Sequence, residues 1–110
     1  MAPPASEIPL VHTVYFALED RSPKAKQELI AACKKLLADH PGTVFFAVGP
    51  VADEIQWSVS DRDFDVAICI VFASKAAHDL YQDSLAHQRF MEENSGNWKQ
   101  IRCFDFHAEG

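Results

Sequence analysis

Four segments of the chain are rich in β-branched and aromatic residues and carry apolar side chains at alternate or successive positions. Such segments are typical of β-strands. The predicted strands are VHTVYFAL (11–18), TVFFAVG (43–49), FDVAICIVFA (64–73) and WKQIRCFDF (98–106). After the first strand, apolar residues recur every three or four positions, which predicts an amphipathic helix. Ser22 and Pro23 suit its first turn, and His40-Pro41-Gly42 is expected to end it.

A second helical region follows the third strand and is predicted to be broken in two. Ser74 can cap a helix that starts KAAHDLY, and Ser84 can cap a helix that starts LAHQRF. The order β-α-β-β-α-β predicts a ferredoxin-like α+β fold, in which helices cover one face of a four-stranded antiparallel sheet. We expect one domain at residues 10–107, preceded by a flexible tail at residues 1–9.

The predicted strands are apolar on both faces, which one layer of helices cannot cover. In the third strand, the alternate set Val66, Ile68 and Ile70 is apolar, and so are Ala67 and Cys69 between them. An antiparallel sheet with one face in water normally alternates apolar and polar residues. We therefore expect a homodimer whose two sheets pack face to face, as in a dimeric α/β barrel. The alternative is a monomer in which residues 51–62 and the tail cover the second face.

Charge and length exclude several classes of partner. The net charge is −6 and the basic residues are scattered, so neither nucleic acid nor an anionic membrane surface is an expected partner. No apolar run reaches the roughly 18–20 residues that a membrane span needs. The start of the chain, MAPPASEIPL, lacks the basic and apolar regions of a signal peptide. The expected location is therefore cytoplasmic.

Three polar side chains are candidates for chemistry: His12, Tyr81 and His87. His12 lies in the first strand on the face of Val14, and helical spacing places His87 on the face of Phe90. Converging polar groups in an apolar interior are typical of a small-molecule site, where histidine can act as a base and tyrosine as a hydrogen-bond donor. The alternative is that the histidines are ordinary core residues. The expected cavity wall includes Phe16, Phe72, Phe90 and Met91.

No motif in the sequence predicts a cofactor or a metal ion. The chain has no glycine-rich phosphate loop, no HExxH and no GxSxG motif. A metal site built on His78 and Asp79 would need further ligands that the sequence does not identify. The three cysteines are spaced unlike any zinc or redox motif. We therefore expect no cofactor.

The opening strand VHTVYFAL, the strand FDVAICIVFAS, the segment YQDSLAHQRF and the closing RCFDF resemble the stress-responsive α/β-barrel domain (Dabb) family. The resemblance covers residues 10 to 106 and implies a ferredoxin-like fold that forms a dimeric barrel. A plant member closes a linear polyketide by an intramolecular aldol step. By resemblance, its machinery falls on His12, Tyr81 and His87, with His87 as the general base and the other two orienting the substrate and stabilising its oxygen anion.

The sequence departs from the family where Ser84-Leu85 replaces a frequent His-Pro. Three functions stay open at this point. The first is cyclase- or isomerase-like acid/base chemistry on a hydrophobic, oxygenated metabolite. The second is a non-catalytic stress-response dimer whose histidines are structural. The third is a cofactor-free barrel monooxygenase.

Overall fold

The computed structural model describes residues 8–109 and confirms the predicted ferredoxin-like order of elements. Residues 1–7, which hold most of the predicted flexible tail, lie outside the described residues. The elements are β1 (Leu10–Leu18), α1 (Pro23–Leu36), β2 (Thr43–Pro50), β3 (Val66–Phe72), α2 (Lys75–Gln82), α3 (Leu85–Asn94) and β4 (Trp98–His107), with a short 3-10 turn before β4. Within residues 8–109, no helix has the length and apolar character required to cross a bilayer.

The three helices begin at serine caps, as the sequence predicts. The caps are Ser22, Ser74 and Ser84, and each hydroxyl accepts a hydrogen bond from the backbone N–H three residues later. Helix α1 ends at Leu36, earlier than the break at Pro41. Asp39 takes a left-handed backbone conformation, φ 61°, and the His40 Nε2 donates to the Leu36 carbonyl at 2.8 Å. This local geometry ends the helix before proline does.

The four strands form one antiparallel sheet in the order β2-β3-β1-β4. Alternate residues of β1 and β3 are buried, which defines an inner face beneath the helices and an outer face away from them. The inner face and α1 form the hydrophobic core, which includes Phe16, Leu29, Cys33 and Ile70. Both candidate positions of β1, His12 and Phe16, lie on the inner face.

The beginning of β3 differs from the prediction, which placed a strand at 64–73 with Phe64 on the face of Val66. The strand starts at Val66, and Phe64 instead packs on Tyr15 of the outer face, with ring centroids 5.0 Å apart. Asp65, a charged residue within the predicted strand, is only 1% exposed. The alternation of inward and outward side chains does not extend to Asp65, because its carboxylate makes buried hydrogen bonds at the point where the chain enters β3.

Asp65 connects the start of β3 to the end of β1 and to α1. One carboxylate oxygen accepts from the Leu18 backbone N–H at 2.8 Å, and the other accepts from Arg21 Nε at 2.9 Å. Burial by itself would raise the pKa of Asp65, but the Leu18 and Arg21 hydrogen bonds, with the nearby charge of Lys26, outweigh it and lower the pKa below 3.8. The carboxylate is therefore ionised and paired at neutral pH.

Replacing Asp65 by asparagine is expected to destabilise the fold by about 2 kcal/mol at pH 7, the range of a charged hydrogen bond. Because the folded-state pKa is below the unfolded value, the ionised group stabilises the fold above about pH 4, and this contribution is lost as pH falls further. Urea unfolding at pH 7 and pH 3 measures the difference in free energy of unfolding between the wild type and Asp65→Asn. This difference should be smaller at pH 3. An equal difference at both pH values would contradict this account.

Candidate functional site

His12 occupies the middle of β1, on the inner face of the sheet, and is 4% exposed. The register of β1 and β4 places it directly opposite Asp105. Its Nδ1 donates to the Asp105 carboxylate at 2.5 Å, which fixes the ring orientation. A histidine on an apolar strand face is therefore held by a carboxylate from the neighbouring strand, and its second ring nitrogen has no hydrogen-bond partner within residues 8–109.

Tyr81 projects from α2 over this same face and is 2% exposed. Its ring centroid lies 5.9 Å from that of His12, 5.0 Å from that of His87 and 5.0 Å from that of His40. No hydrogen bond formed within residues 8–109 uses its hydroxyl. Burial raises the pKa of Tyr81, so the hydroxyl keeps its proton and can donate it to a ligand oxygen.

His87 lies in the first turn of α3, and its backbone N–H donates to the Ser84 hydroxyl that caps the helix. The ring is half-buried, and within residues 8–109 it has no hydrogen-bond partner. Burial lowers the pKa of His87 below 6.5, and repulsion from His12, His40 and His78 adds to this effect. The imidazole is therefore neutral at pH 7 and able to accept a proton.

A partly open cavity of about 180 Å³ brings these three side chains together between the sheet, α2 and α3. Its wall also includes Phe16, Phe90 and Met91, the last of which is 45% exposed at the rim. Phe72 lies outside the wall because it packs behind Tyr81, with ring centroids 5.0 Å apart. The remaining lining is mostly apolar and includes Val14, Leu37, Ile68, Ile101 and Cys103.

Trp98 and Asp105 belong to the site but were not identified from the sequence. Trp98 lines the cavity, and its buried Nε1–H has no partner among residues 8–109, so it is a further donor. Asp105 holds His12. Both residues lie in the predicted last strand, but only its register against β1 shows that they reach the site. The available signal in the sequence was the position of Asp105 between two aromatic residues, Phe104 and Phe106, of a predicted strand.

A larger and more open groove of about 310 Å³ lies on another side of Trp98, between α1 and the end of α3. Its lining includes Asp20, Glu28 and Glu93, with neither tyrosine nor histidine. This groove therefore lacks the histidine and tyrosine side chains that the smaller cavity brings together. The smaller cavity is therefore the candidate site, because it combines a neutral imidazole, a protonated phenol and an apolar wall.

Comparison with known proteins places the chain in one family. Residues 10–108 match the model of the stress responsive A/B barrel domain, Dabb. None of the curated proteins matches the chain.

The fold recurs in solved structures at low sequence identity. A Dabb protein of Mesorhizobium loti has a TM-score of 0.76 at 23% identity, with 94% of this chain and 99% of that chain covered. A dimeric ferredoxin-like protein of Thermobifida fusca, of unknown function, has a TM-score of 0.76 at 18% identity, with 97% of each chain covered. The hydroxynitrile lyase of Passiflora edulis has a TM-score of 0.74 at 20% identity, with 94% of this chain and 95% of that chain covered. From the match over residues 10–108, the chain belongs to the stress responsive A/B barrel domain family.

Proposed function

We propose that the protein is a cofactor-independent acid/base catalyst for a small, largely apolar carbonyl compound. The observation that carries the proposal is the meeting of His87, Tyr81 and His12 on one cavity wall. His87 supplies the base, because its ring is neutral and has no partner among residues 8–109. Tyr81 supplies the donor, because its hydroxyl is protonated and likewise has no partner in that part of the chain.

The proposed step is removal of a proton from the carbon beside a carbonyl group. The His87 imidazole takes the proton, the electron pair of the C–H bond forms a carbon–carbon double bond, and the π electrons of the carbonyl group move to its oxygen. That oxygen becomes an enolate, to which the Tyr81 hydroxyl donates a hydrogen bond. His12, held by Asp105 through Nδ1, orients the substrate with its free nitrogen. A cyclase, an isomerase or a lyase can all use such an enolate.

The size of the cavity limits the substrate. A protein cavity of about 150 Å³ is known to hold benzene. The 180 Å³ available here therefore fits one six-membered ring with small substituents, or a chain of similar volume. The apolar wall suits the carbon skeleton, and the three polar groups suit one or two oxygens. One structural neighbour, the Passiflora edulis protein, is a hydroxynitrile lyase, which supports lyase chemistry as one candidate within this fold.

Exchange of α-protons for deuterium tests the proposal without knowledge of the natural substrate. Cyclohexanone, a ring of the appropriate size, is incubated with the protein in deuterated buffer and its α-proton signal is followed by NMR. We expect exchange to be faster than in buffer containing an equal concentration of free imidazole. If the protein gives no acceleration over imidazole across a panel of small ketones and aldehydes, the catalytic proposal fails and a non-catalytic role is favoured.

The exchange rate should depend on pH through the base form of His87. Because burial lowers the pKa of His87 below 6.5, the neutral ring persists to lower pH than free imidazole does. The rate is therefore expected to stay constant from pH 8 down past pH 6.5 and to fall only below that value. A midpoint above pH 6.5 would contradict the assignment of His87 as the base.

We further propose that the chain forms a homodimer through the outer face of its sheet. The register aligns Phe45, Val71, Val11 and Phe106 in one row across this face. Phe45, Phe104 and Phe106 are each more than half exposed in the single chain. Exposed aromatic residues in such a row favour burial against a second copy. The dimeric Thermobifida fusca neighbour supports the same assembly.

Light scattering at micromolar concentration should give about twice the chain mass of 12.3 kDa. Replacing Phe104 by arginine is expected to give the monomer mass, because it would bury an unpaired charge from each chain in the apolar interface. The control is Leu85→Arg, since Leu85 is 82% exposed on α3 and should leave the mass unchanged. A wild-type mass of one chain would contradict the proposed dimer.

A further inference from the structure

The fold brings together a second set of polar side chains beside the cavity: His12 of β1, His78 of α2 and Asp105 of β4. One ligand atom from each residue lies within 4.8 Å of those of the other two. The ring centroids of His12 and His78 are 5.1 Å apart, in an edge-on arrangement. His78 was considered as a metal ligand from the sequence, but its companions are 66 and 27 residues away in the chain and only the fold supplies them.

We infer that His12, His78 and Asp105 form a binding site for a divalent first-row transition metal ion such as Zn²⁺ or Co²⁺. Two imidazoles and one carboxylate are a ligand set that these ions favour, whereas Mg²⁺ and Ca²⁺ favour oxygen ligands alone. Three protein ligands leave at least one coordination position for water or for a molecule in the cavity. The net charge of −6 also favours a cation.

The ligands can reach bonding distance by small side-chain movements. Metal bonds of about 2.0 Å place tetrahedral ligands about 3.3 Å apart. Separations of up to 4.8 Å in the cluster must therefore close by at most about 1.5 Å, and Asp105 must give up its 2.5 Å hydrogen bond to His12 Nδ1 to bind the ion. Asp105 has 42% of its side chain exposed and His78 has 18% exposed, so both can change rotamer without opening the core. The same exposure gives an ion a path from solvent to the site.

Asp79 holds His78 in the way that an outer carboxylate holds a metal-binding histidine. The His78 Nδ1 donates to the Asp79 carboxylate at 3.0 Å. This hydrogen bond leaves the lone pair on Nε2 and restricts the ring orientation. Removal of such an outer carboxylate weakens metal binding by about 10- to 100-fold in known sites. Asp79 is therefore a positioning residue for the proposed site.

The metal site is distinct from the proposed acid/base pair, although His12 borders both. Neither Tyr81 nor His87 belongs to the ligand set. His78 and Asp79 in turn do not line the cavity. Metal binding can therefore be measured directly, with no enzymatic readout, and failure of the catalytic proposal would leave the metal proposal standing.

Titration with Co²⁺ tests the site, because bound Co²⁺ in a protein site has visible absorption bands that report its coordination. The full-length chain without an affinity tag is first treated with EDTA. We expect one Co²⁺ per chain, displacement of the spectrum by Zn²⁺, and an increase in melting temperature with Zn²⁺ concentration. His78→Ala and Asp105→Asn are each expected to weaken binding at least 100-fold, and Asp79→Asn to weaken it at least tenfold.

His107→Ala is the matched control, since His107 is an exposed histidine at the end of β4 and lies outside the cluster. It should bind Co²⁺ as the wild type does. If His78→Ala alters the far-ultraviolet circular dichroism, His78→Gln replaces it. Absence of Co²⁺ binding by the wild type at millimolar concentration would overturn the proposal. The proposal would also be overturned if a folded His78 variant bound Co²⁺ with wild-type affinity, or if His107→Ala lost Co²⁺ binding.

Discussion

Replacing His87 by glutamine is expected to slow the exchange of ketone α-protons by about 100- to 10,000-fold, the usual contribution of a general base. Glutamine fills a similar volume and can still hydrogen-bond, but it cannot take the proton. The fold should persist, because the ring has no hydrogen bond to lose within residues 8–109 and its helix cap uses the backbone N–H. The measurement is the α-proton signal of cyclohexanone in deuterated buffer, at equal concentrations of folded protein.

Tyr81→Phe should slow the same exchange by about 100-fold, because it removes only the hydrogen-bond donor to the enolate oxygen. The phenyl ring keeps the packing against His40 and Phe72. His107→Gln is the control for a histidine outside the cavity and should exchange at the wild-type rate. Variants of His87 and Tyr81 that remain as fast as the wild type would show that any exchange occurs elsewhere on the protein.

Replacing Gly42 by alanine is expected to destabilise the fold by about 3 kcal/mol. Gly42 has φ 86°, in the left-handed region, where a side chain costs about 1–2 kcal/mol. A Cβ built at Gly42 would also overlap the Cβ of Ala77 in α2, and such overpacking costs about 1–3 kcal/mol. Ala77 lies one turn before Tyr81, so the same overlap would push on the helix that supplies the proposed donor.

Urea unfolding at one fixed protein concentration measures this loss. The double variant Gly42→Ala/Ala77→Gly separates the two causes, since it removes the overlap but keeps the unfavourable φ. Compared with Gly42→Ala, the double variant should regain the free energy of unfolding lost to the overlap. This gain is reduced by about 1 kcal/mol, because glycine is less favourable than alanine within a helix. An alanine variant as stable as the wild type would contradict the close packing of this turn on α2.

The sequence predicted the order of elements because their signals are local. Serine caps, the period of apolar residues in α1 and the β-branched strands all act within a few neighbouring residues. The burial of Asp65 was not predicted, because its partners Leu18 and Arg21 are 47 and 44 residues away and the alternation of side chains contains no information about them. The start of β3 therefore depends on tertiary hydrogen bonds.

The candidate site was predicted only as a set of residues that share an interior. The inward orientation of His12 followed from strand alternation, and the pairing of Tyr81 with His87 followed from the family resemblance. The contacts of His12 with Asp105 and His78 depend on the register of β1 against β4 and on the packing of α2. Neither can be derived from one sequence, because a shift of two residues in register would preserve every apolar face.

The central claim is that His12, Tyr81 and His87 bind one small ligand in the cavity, and histidine NMR tests it most directly. Phenol is a suitable probe, since its ring fits a space of about 150 Å³ and its hydroxyl can contact the polar groups. We predict that the ring carbon–proton signals of His12 and His87 shift together on phenol titration with a single Kd, while that of His107 stays fixed. Tyr81→Phe should bind phenol more weakly and therefore raise this Kd. Unchanged His12 and His87 signals at saturating phenol would contradict the account.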